Sequence, residues 1–183
     1  GNGRSDEARD AIGYGRFPGE GGMAVLSRLP VDASAGADHS QLLWRDLPDA
    51  QLPGDMTAQD LDGQRLSTTG HWDVPLVLPD GSALHLLAWH ATPPVFDGPE
   101  DRNGRRNKDE ALVWLRLLEG ALPWGPPEGP FVILGQSNLD PVDGDGLHQG
   151  MAALLASKAV QDVGPRGTAV RQDAGHEGDA ALD

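Results

Sequence analysis

The stretch "VPLVLPDGSALHLLAWHAT" (residues 74–92) carries the clearest local signal for a fold in this chain. Two runs rich in β-forming residues flank a Pro-Asp-Gly turn, and this arrangement predicts an antiparallel hairpin. Alternation along the second run puts His90 on the same face of the strand as Leu86 and Ala88. The pattern therefore predicts that His90 continues an inward-facing row at the edge of the core.

Shorter apolar runs on both sides of the hairpin predict further strands. They lie at residues 22–29, 40–47 and 130–134, and each is followed by Pro or Gly. The Gly-rich and polar residues 1–21 and the residues 164–183 predict mostly loop. Because strands predominate and include a hairpin, we expect an α+β domain with a mixed or antiparallel sheet covered by helices on one face.

Two helices are predicted between and after these strands. Apolar residues at helical spacing precede Gly120, which is expected to end the first helix. Asn107 stands at its start as N-cap, with Glu110 three residues later in a capping-box arrangement. The second helix is predicted to begin near Leu147.

The composition limits the possible functions. The chain has 183 residues, enough for one domain, and its hydrophobic content of 38% is that of a globular protein. Its net charge of −14 argues against broad electrostatic capture of nucleic acid. The absence of Cys excludes disulfides and thiolate metal sites. No apolar run approaches the length of a membrane span.

Three groups of polar residues lie near the ends of predicted strands. His90 is either a core-edge histidine satisfied by hydrogen bonds or a donor to a phosphate oxygen. Gln136 and Asn138, followed by several Asp residues, form either a solvated turn or one wall of a metal or phosphate site. The Arg-rich loop around residues 102–106 is either solvated surface or a source of guanidinium groups for phosphate.

Taken in order, four stretches resemble the deoxyribonuclease-like endonuclease/exonuclease/phosphatase superfamily, in one of its bacterial branches. The resemblance runs from about Gly13 to Asp162. The matching stretches are "GMAVLSRLPV" (22–31), "LHLLAWHATPP" (84–94), "RNGRRNKDEALVW" (102–114) and "FVILGQSNLDP" (131–141).

The resemblance implies a four-layer α-β-β-α sandwich built from two mixed β-sheets. The family's early strand with a metal-binding Glu and its late Ser-Asp-His strand have no counterpart in the sequence. We therefore expect residues 1–183 to be the central fragment of one such domain. The missing first and last strands would come from flanking sequence or from another chain.

The resemblance also implies a function and a set of site residues. Members of the family hydrolyse phosphoester bonds with a divalent metal, usually Mg²⁺, so the expected substrate is a phosphoester in nucleic acid, a nucleotide or a lipid. His90 matches the histidine that contacts the scissile phosphate. Asn138 matches the Asn of the "GDxN" step, and Gln136 stands where that step has Asp. Such relatives favour a secreted or periplasmic location.

Further site residues are expected in the resembling stretches. Arg28, Arg106 and Asn107 are the candidates for substrate binding, and Asp140 is the candidate metal ligand. Two alternatives to an enzyme remain. Because an amide cannot act as a base or supply a carboxylate's charge, Gln136 allows a catalytically impaired relative that acts as a binding module. The acidic residues 140–146 allow a calcium-binding structural module.

Overall fold

The predicted hairpin forms the centre of a four-stranded mixed sheet. The computed structural model describes Phe17 and residues 20–164, and the predicted loops at 1–21 and 164–183 lie almost entirely outside them. The regular elements are β1 (Ala37–Asp38), α1 (Ala58–Gly63), β2 (Gly70–Val77), β3 (Ala83–His90), α2 (Arg102–Leu118), β4 (Phe131–Gln136) and α3 (Gln149–Leu155). The strand order is β1-β2-β3-β4, and a 3-10 helix spans Trp44–Asp46. The prediction of an α+β fold with a mixed sheet is confirmed, and the described residues form one sheet.

The hairpin is closed by its turn residues and by a continuous ladder. β2 and β3 are antiparallel, with pairs from Gly70 with His90 to Val77 with Ala83. At the turn, Ser82 donates from both its backbone N–H and its hydroxyl to the Asp80 carboxylate. These side-chain bonds fix the turn locally, which explains why the sequence alone predicts it.

β3 and β4 are parallel and are joined through α2. A parallel pair requires a long crossover, and the helix supplies it. The register runs from His85 with Phe131 to His90 with Gln136. Because the strands are parallel, both end at the same edge of the sheet, and this edge receives the polar residues that follow each strand.

Among the described residues, one face of the sheet packs against the helices. Leu87 and Trp89 on β3 are buried in a core that includes Trp114 of α2 and Leu154 of α3. His90 lies on the other row of β3 with Ala88, which is 3% exposed, and Leu86, which is half-buried, so this row faces away from the α2 core. Apolar residues occupy both faces of this strand, so alternation alone could not identify the core side. We call the side of the sheet away from α2 the open face.

The open face is apolar. It carries Leu84 and Leu86 of β3, which are half-buried, and Val132 and Leu134 of β4, which are 44% and 41% exposed. In the described part of the chain, β4 is also an edge strand, since its only ladder is to β3.

Two predicted strands do not form. Residues 22–27 have no regular secondary structure, and the nearest sheet contact is an isolated bridge between Val31 and Leu76. Residues 40–47 contain the 3-10 helix instead. Its Trp44 is fully buried and donates from Nε1 to the Asp109 carboxylate at 2.7 Å. A β-strand requires a neighbouring strand for its hydrogen bonds. The local sequence does not indicate whether such a neighbour exists, so these two predictions were wrong.

The first predicted helix is longer than expected. α2 begins at Arg102 with Asp101 at the N-cap position, so Asn107 lies within the helix and does not cap it. The helix ends as predicted, with Gly120 in the left-handed region at φ 69°. None of the helices in residues 20–164 has the length and hydrophobicity of a membrane span.

We predict that Gly135→Ala strongly destabilises the fold. Gly135 has φ 149°, and an added Cβ would overlap the backbone oxygen of Trp89 on the neighbouring strand. The expected loss is about 3 kcal/mol or more in the free energy of unfolding, measured by urea denaturation.

The control is Gly63→Ala at the end of α1, where an added Cβ meets no atom within 4 Å. This variant should be within about 1 kcal/mol of the wild type. Equal stability of the two variants would contradict the described path of β4.

Candidate functional site

The carboxyl ends of β3 and β4 bring His90 and Gln136 together. The two residues are register partners, and the Ala91 backbone N–H donates to the Gln136 carbonyl at 2.9 Å. Neighbouring strands lie about 4.8 Å apart, and register partners point to the same side of a sheet. His90 and Gln136 therefore form adjacent side chains at the edge of the open face.

Asn138 completes this polar edge. Its Oδ1 accepts a hydrogen bond from Gln136 Nε2 at 2.9 Å, and its Nδ2 donates to the Ala91 carbonyl at 2.8 Å. Its backbone is left-handed, with φ 50°, a conformation that Asn tolerates better than most residues. Both ends of the Asn138 amide are thus oriented by residues beside His90.

A buried polar layer on α2 lies behind this edge. Asn107 is fully buried, and its Nδ2 donates to the backbone carbonyls of Thr92 and Ser137, each at 2.8 Å. Thr92 follows β3 and Ser137 follows β4. One side chain therefore joins the two loops that carry the polar edge.

Glu110 is the second residue of this layer. It is fully buried, and its carboxylate accepts from the Thr92 backbone N–H at 2.6 Å and from the Thr68 backbone N–H at 3.0 Å. Burial raises the pKa of Glu110 to about 7, although the bonds from Thr92 and Thr68 oppose the rise by stabilising the charged form.

The two predicted arginines differ in burial. Arg106 is 5% exposed, and its guanidinium lies over the Trp44 ring, 4.8 Å from the centroid. Burial lowers its pKa, and the nearby Glu110 opposes this change. Its charge is inside the protein and not on the surface where a phosphate would bind. Arg28 is exposed and follows residues 22–27, which have no regular secondary structure.

Asp140, the predicted metal ligand, is exposed and folds back on its own loop. Its Oδ1 accepts from the backbone N–H groups of Val142 and Asp143, each at 2.7 Å. Within residues 20–164 no group of three or more His, Asp or Glu side chains is arranged to hold a metal ion. Mg²⁺ prefers carboxylate oxygens. The described residues therefore do not by themselves fit a Mg²⁺ site, and further carboxylates from elsewhere would be needed.

Another buried titratable group contacts the same helix. His71 is fully buried, with Nδ1 3.0 Å from the Ser67 hydroxyl and Nε2 3.0 Å from the Glu110 backbone oxygen. Burial lowers the pKa of His71 to about 4, so it is neutral near pH 7. It lies on the core face of the sheet and is separate from the polar edge.

Comparison of this chain with protein-family models, with curated proteins and with solved structures found no match.

Sequence reasoning missed the part that Glu110 and Thr92 play. Glu110 was expected to close a capping box, yet its side chain reaches the ends of β2 and β3. One signal was present: the residue stands directly before Ala111, which begins the apolar helical stripe of α2. A charged residue beside such a stripe is a candidate for a buried polar contact.

We predict that ionisation of Glu110 makes stability depend on pH. Its pKa is higher in the folded protein, about 7, than the ordinary 4.5. Its contribution is therefore fully present below pH 4.5 and is lost as the pH rises through 7. The stability of the wild type relative to Glu110→Gln should fall by about 3 kcal/mol over this range.

The comparison with Glu110→Gln is needed because ionisation of His71 changes the stability with pH in the opposite direction. Its pKa is depressed from 6.5 to about 4, so its contribution is lost as the pH falls through that range. The direct check on the wild type is the carbon-13 signal of the Glu110 carboxyl. A midpoint near 4.5 for that signal would contradict the prediction.

Proposed function

We propose that this chain is part of a metal-dependent phosphoesterase that hydrolyses phosphodiester bonds. The observation that carries the proposal is the meeting of His90, Gln136 and Asn138 at one edge of the sheet, from stretches more than 40 residues apart. The resemblance implies contact with the scissile phosphate at His90. At Asn138 it implies a residue that orients the phosphate or a metal-bound water. The proximity of these residues supports the proposal because the sequence order alone did not require it.

The proposed chemistry uses the side chains at this edge. In the proposed step a water molecule attacks phosphorus as the bond to the leaving oxygen breaks. His90 hydrogen-bonds a phosphoryl oxygen and donates a proton to the departing oxygen, while the attacking water loses a proton to solvent. Asn138 is held by Gln136 and by the Ala91 carbonyl. Its amide therefore has a fixed orientation beside the proposed phosphoryl position at His90. Fixed polar groups of this kind stabilise developing charge without reorganising during the reaction.

The proposed cofactor is Mg²⁺ or another divalent metal, held mainly by carboxylates outside the described residues. A bound divalent ion supplies charge stabilisation to the phosphoryl oxygens. The proposed substrate is a phosphodiester of a nucleic acid, a nucleotide or a lipid. The net charge of −14 favours compact substrates over long nucleic acids, since the latter need many phosphate contacts.

We further propose a four-layer sandwich, in which a second sheet covers the open face. This architecture is supported by exposed Val132 and Leu134, by the edge of β4 that is unpaired within the described residues, and by the apolar composition of residues 22–27. Such surfaces are usually covered in a stable protein. The strands would come from flanking sequence or another chain. An open face in a crystal structure of the complete natural protein would contradict this proposal.

A second candidate function is a binding module that lacks catalysis. The hydrogen bond from Gln136 Nε2 to Asn138 Oδ1 favours it. An ionised Asp cannot donate this bond, so the polar edge is built around an amide at the position where the resembling family has a base.

We predict Mg²⁺-dependent hydrolysis of bis-p-nitrophenyl phosphate by the complete natural protein. His90→Ala should lower kcat/KM at least about 100-fold, because a general acid contributes at least that much. Gln136→Asp removes the hydrogen bond to Asn138 but supplies a carboxylate that can act as a base. Because a general base contributes about 100-fold or more, which exceeds the loss of one positioning bond, kcat/KM should rise about tenfold or more.

The matched control is Gln59→Asp, which adds the same charge at an exposed position of α1 and should leave kcat/KM unchanged. If the wild type shows no Mg²⁺-dependent cleavage and Gln136→Asp does not create it, the enzyme proposal fails. Binding of inorganic phosphate without cleavage would then favour the binding module.

A further inference from the structure

We infer that Asn107 and Glu110 are positioning residues that fix the separation between His90 and Asn138 by clamping the loops that follow β3 and β4. We call these two side chains the α2 clamp. The catalytic part of this inference rests on the proposed function, and the structural part does not.

The clamp holds both backbone groups of Thr92. Glu110 accepts from its N–H at 2.6 Å, and Asn107 donates to its carbonyl at 2.8 Å. Asn107 and Glu110 are three residues apart on α2, so they lie on one side of the helix. Thr92 lies two residues after His90, and its position controls where β3 ends.

Asn107 also holds the second loop. Its single Nδ2 carries two hydrogens and donates to carbonyls from both loops, at Thr92 and at Ser137. Ser137 directly precedes Asn138. An Asp at position 107 would have the same size but no donor, and it would face two carbonyl oxygens. The bridge therefore requires an amide.

Glu110 extends the clamp to β2. Its Oε1 accepts from the Thr68 backbone N–H at 3.0 Å, and the Thr68 and Thr92 hydroxyls are 2.9 Å apart. Thr68 lies two residues before Gly70, the register partner of His90. The clamp thus fixes His90 from both neighbouring strands. A Gln at position 110 would replace one acceptor by a donor.

The buried position of Asn107 and Glu110 distinguishes them from catalytic residues. Asn107 and Glu110 are both fully buried, so neither side chain contacts a ligand at the polar edge. They act through the loops. A displacement of a reacting group by about 1 Å lowers a rate about 100-fold. Loss of the clamp should therefore lower kcat while changing KM little.

The experiment compares Asn107→Asp with Asp109→Ala in the complete natural protein. Asp109 is fully buried on the same helix, but its carboxylate holds the Trp44 side chain and the Gln51 backbone, each at 2.7 Å. Asp109→Ala therefore removes buried bonds without touching either loop. At a temperature where both variants are folded, Asn107→Asp should lower kcat about 100-fold, and Asp109→Ala should change it less than threefold.

A spectroscopic measurement on the same proteins distinguishes failure of the clamp from failure of the proposed function. In amide NMR spectra, Asn107→Asp should shift the signals of Thr92, Ser137 and Asn138, and Asp109→Ala should not. These shifts are expected even if the wild type hydrolyses nothing. Unchanged signals at these three residues, or equal loss of kcat in both variants, would overturn the inference.

Hydrogen exchange of the wild type tests the clamp even if Asn107→Asp does not fold. Both side-chain amide protons of Asn107 and the backbone amide proton of Thr92 should exchange at least about 100-fold more slowly than exposed amides. Exchange of these protons at the rate of exposed amides would show that the clamp is absent.

Discussion

The parallel pairing of β3 with β4 is the constraint on which the rest of the structure depends. In a hairpin the carboxyl ends of the two strands lie at opposite edges of the sheet. In a parallel pair both carboxyl ends lie at the same edge. The connection must then cross the sheet, and α2 fills that path and covers one face. His90 and Gln136 meet only because the pairing has this direction and this register.

The same geometry creates a demand for buried polar groups. The loops that leave β3 and β4 pass next to the core, where backbone N–H and carbonyl groups need partners. α2 supplies Asn107 and Glu110 to them, at the expense of burying an amide and a carboxylate. Such burial is unfavourable unless the bonds are well formed. A rigid layer behind a polar edge is the arrangement expected where side chains must be held in place for binding or chemistry.

Features fixed by neighbouring residues could be predicted from the sequence, and features fixed by distant partners could not. The hairpin around Asp80, the strand predicted at residues 130–134 and the helix end at Gly120 all follow from local turn chemistry and periodicity. The absence of a strand at residues 22–27 and the buried 3-10 helix at Trp44 could not be predicted, because strand pairing and burial depend on other segments. For the site, the resemblance indicated His90 and Asn138. The buried position of Arg106 and the contacts of Glu110 became visible only with the fold.

We propose that the edge shared by β3 and β4 binds a phosphoryl group. The most direct test is an NMR titration of the complete natural protein with inorganic phosphate in the presence of Mg²⁺. The account predicts saturable shifts centred on the His90 imidazole and on the side-chain amides of Gln136 and Asn138. Saturable shifts centred elsewhere, or none at these three side chains, would contradict it.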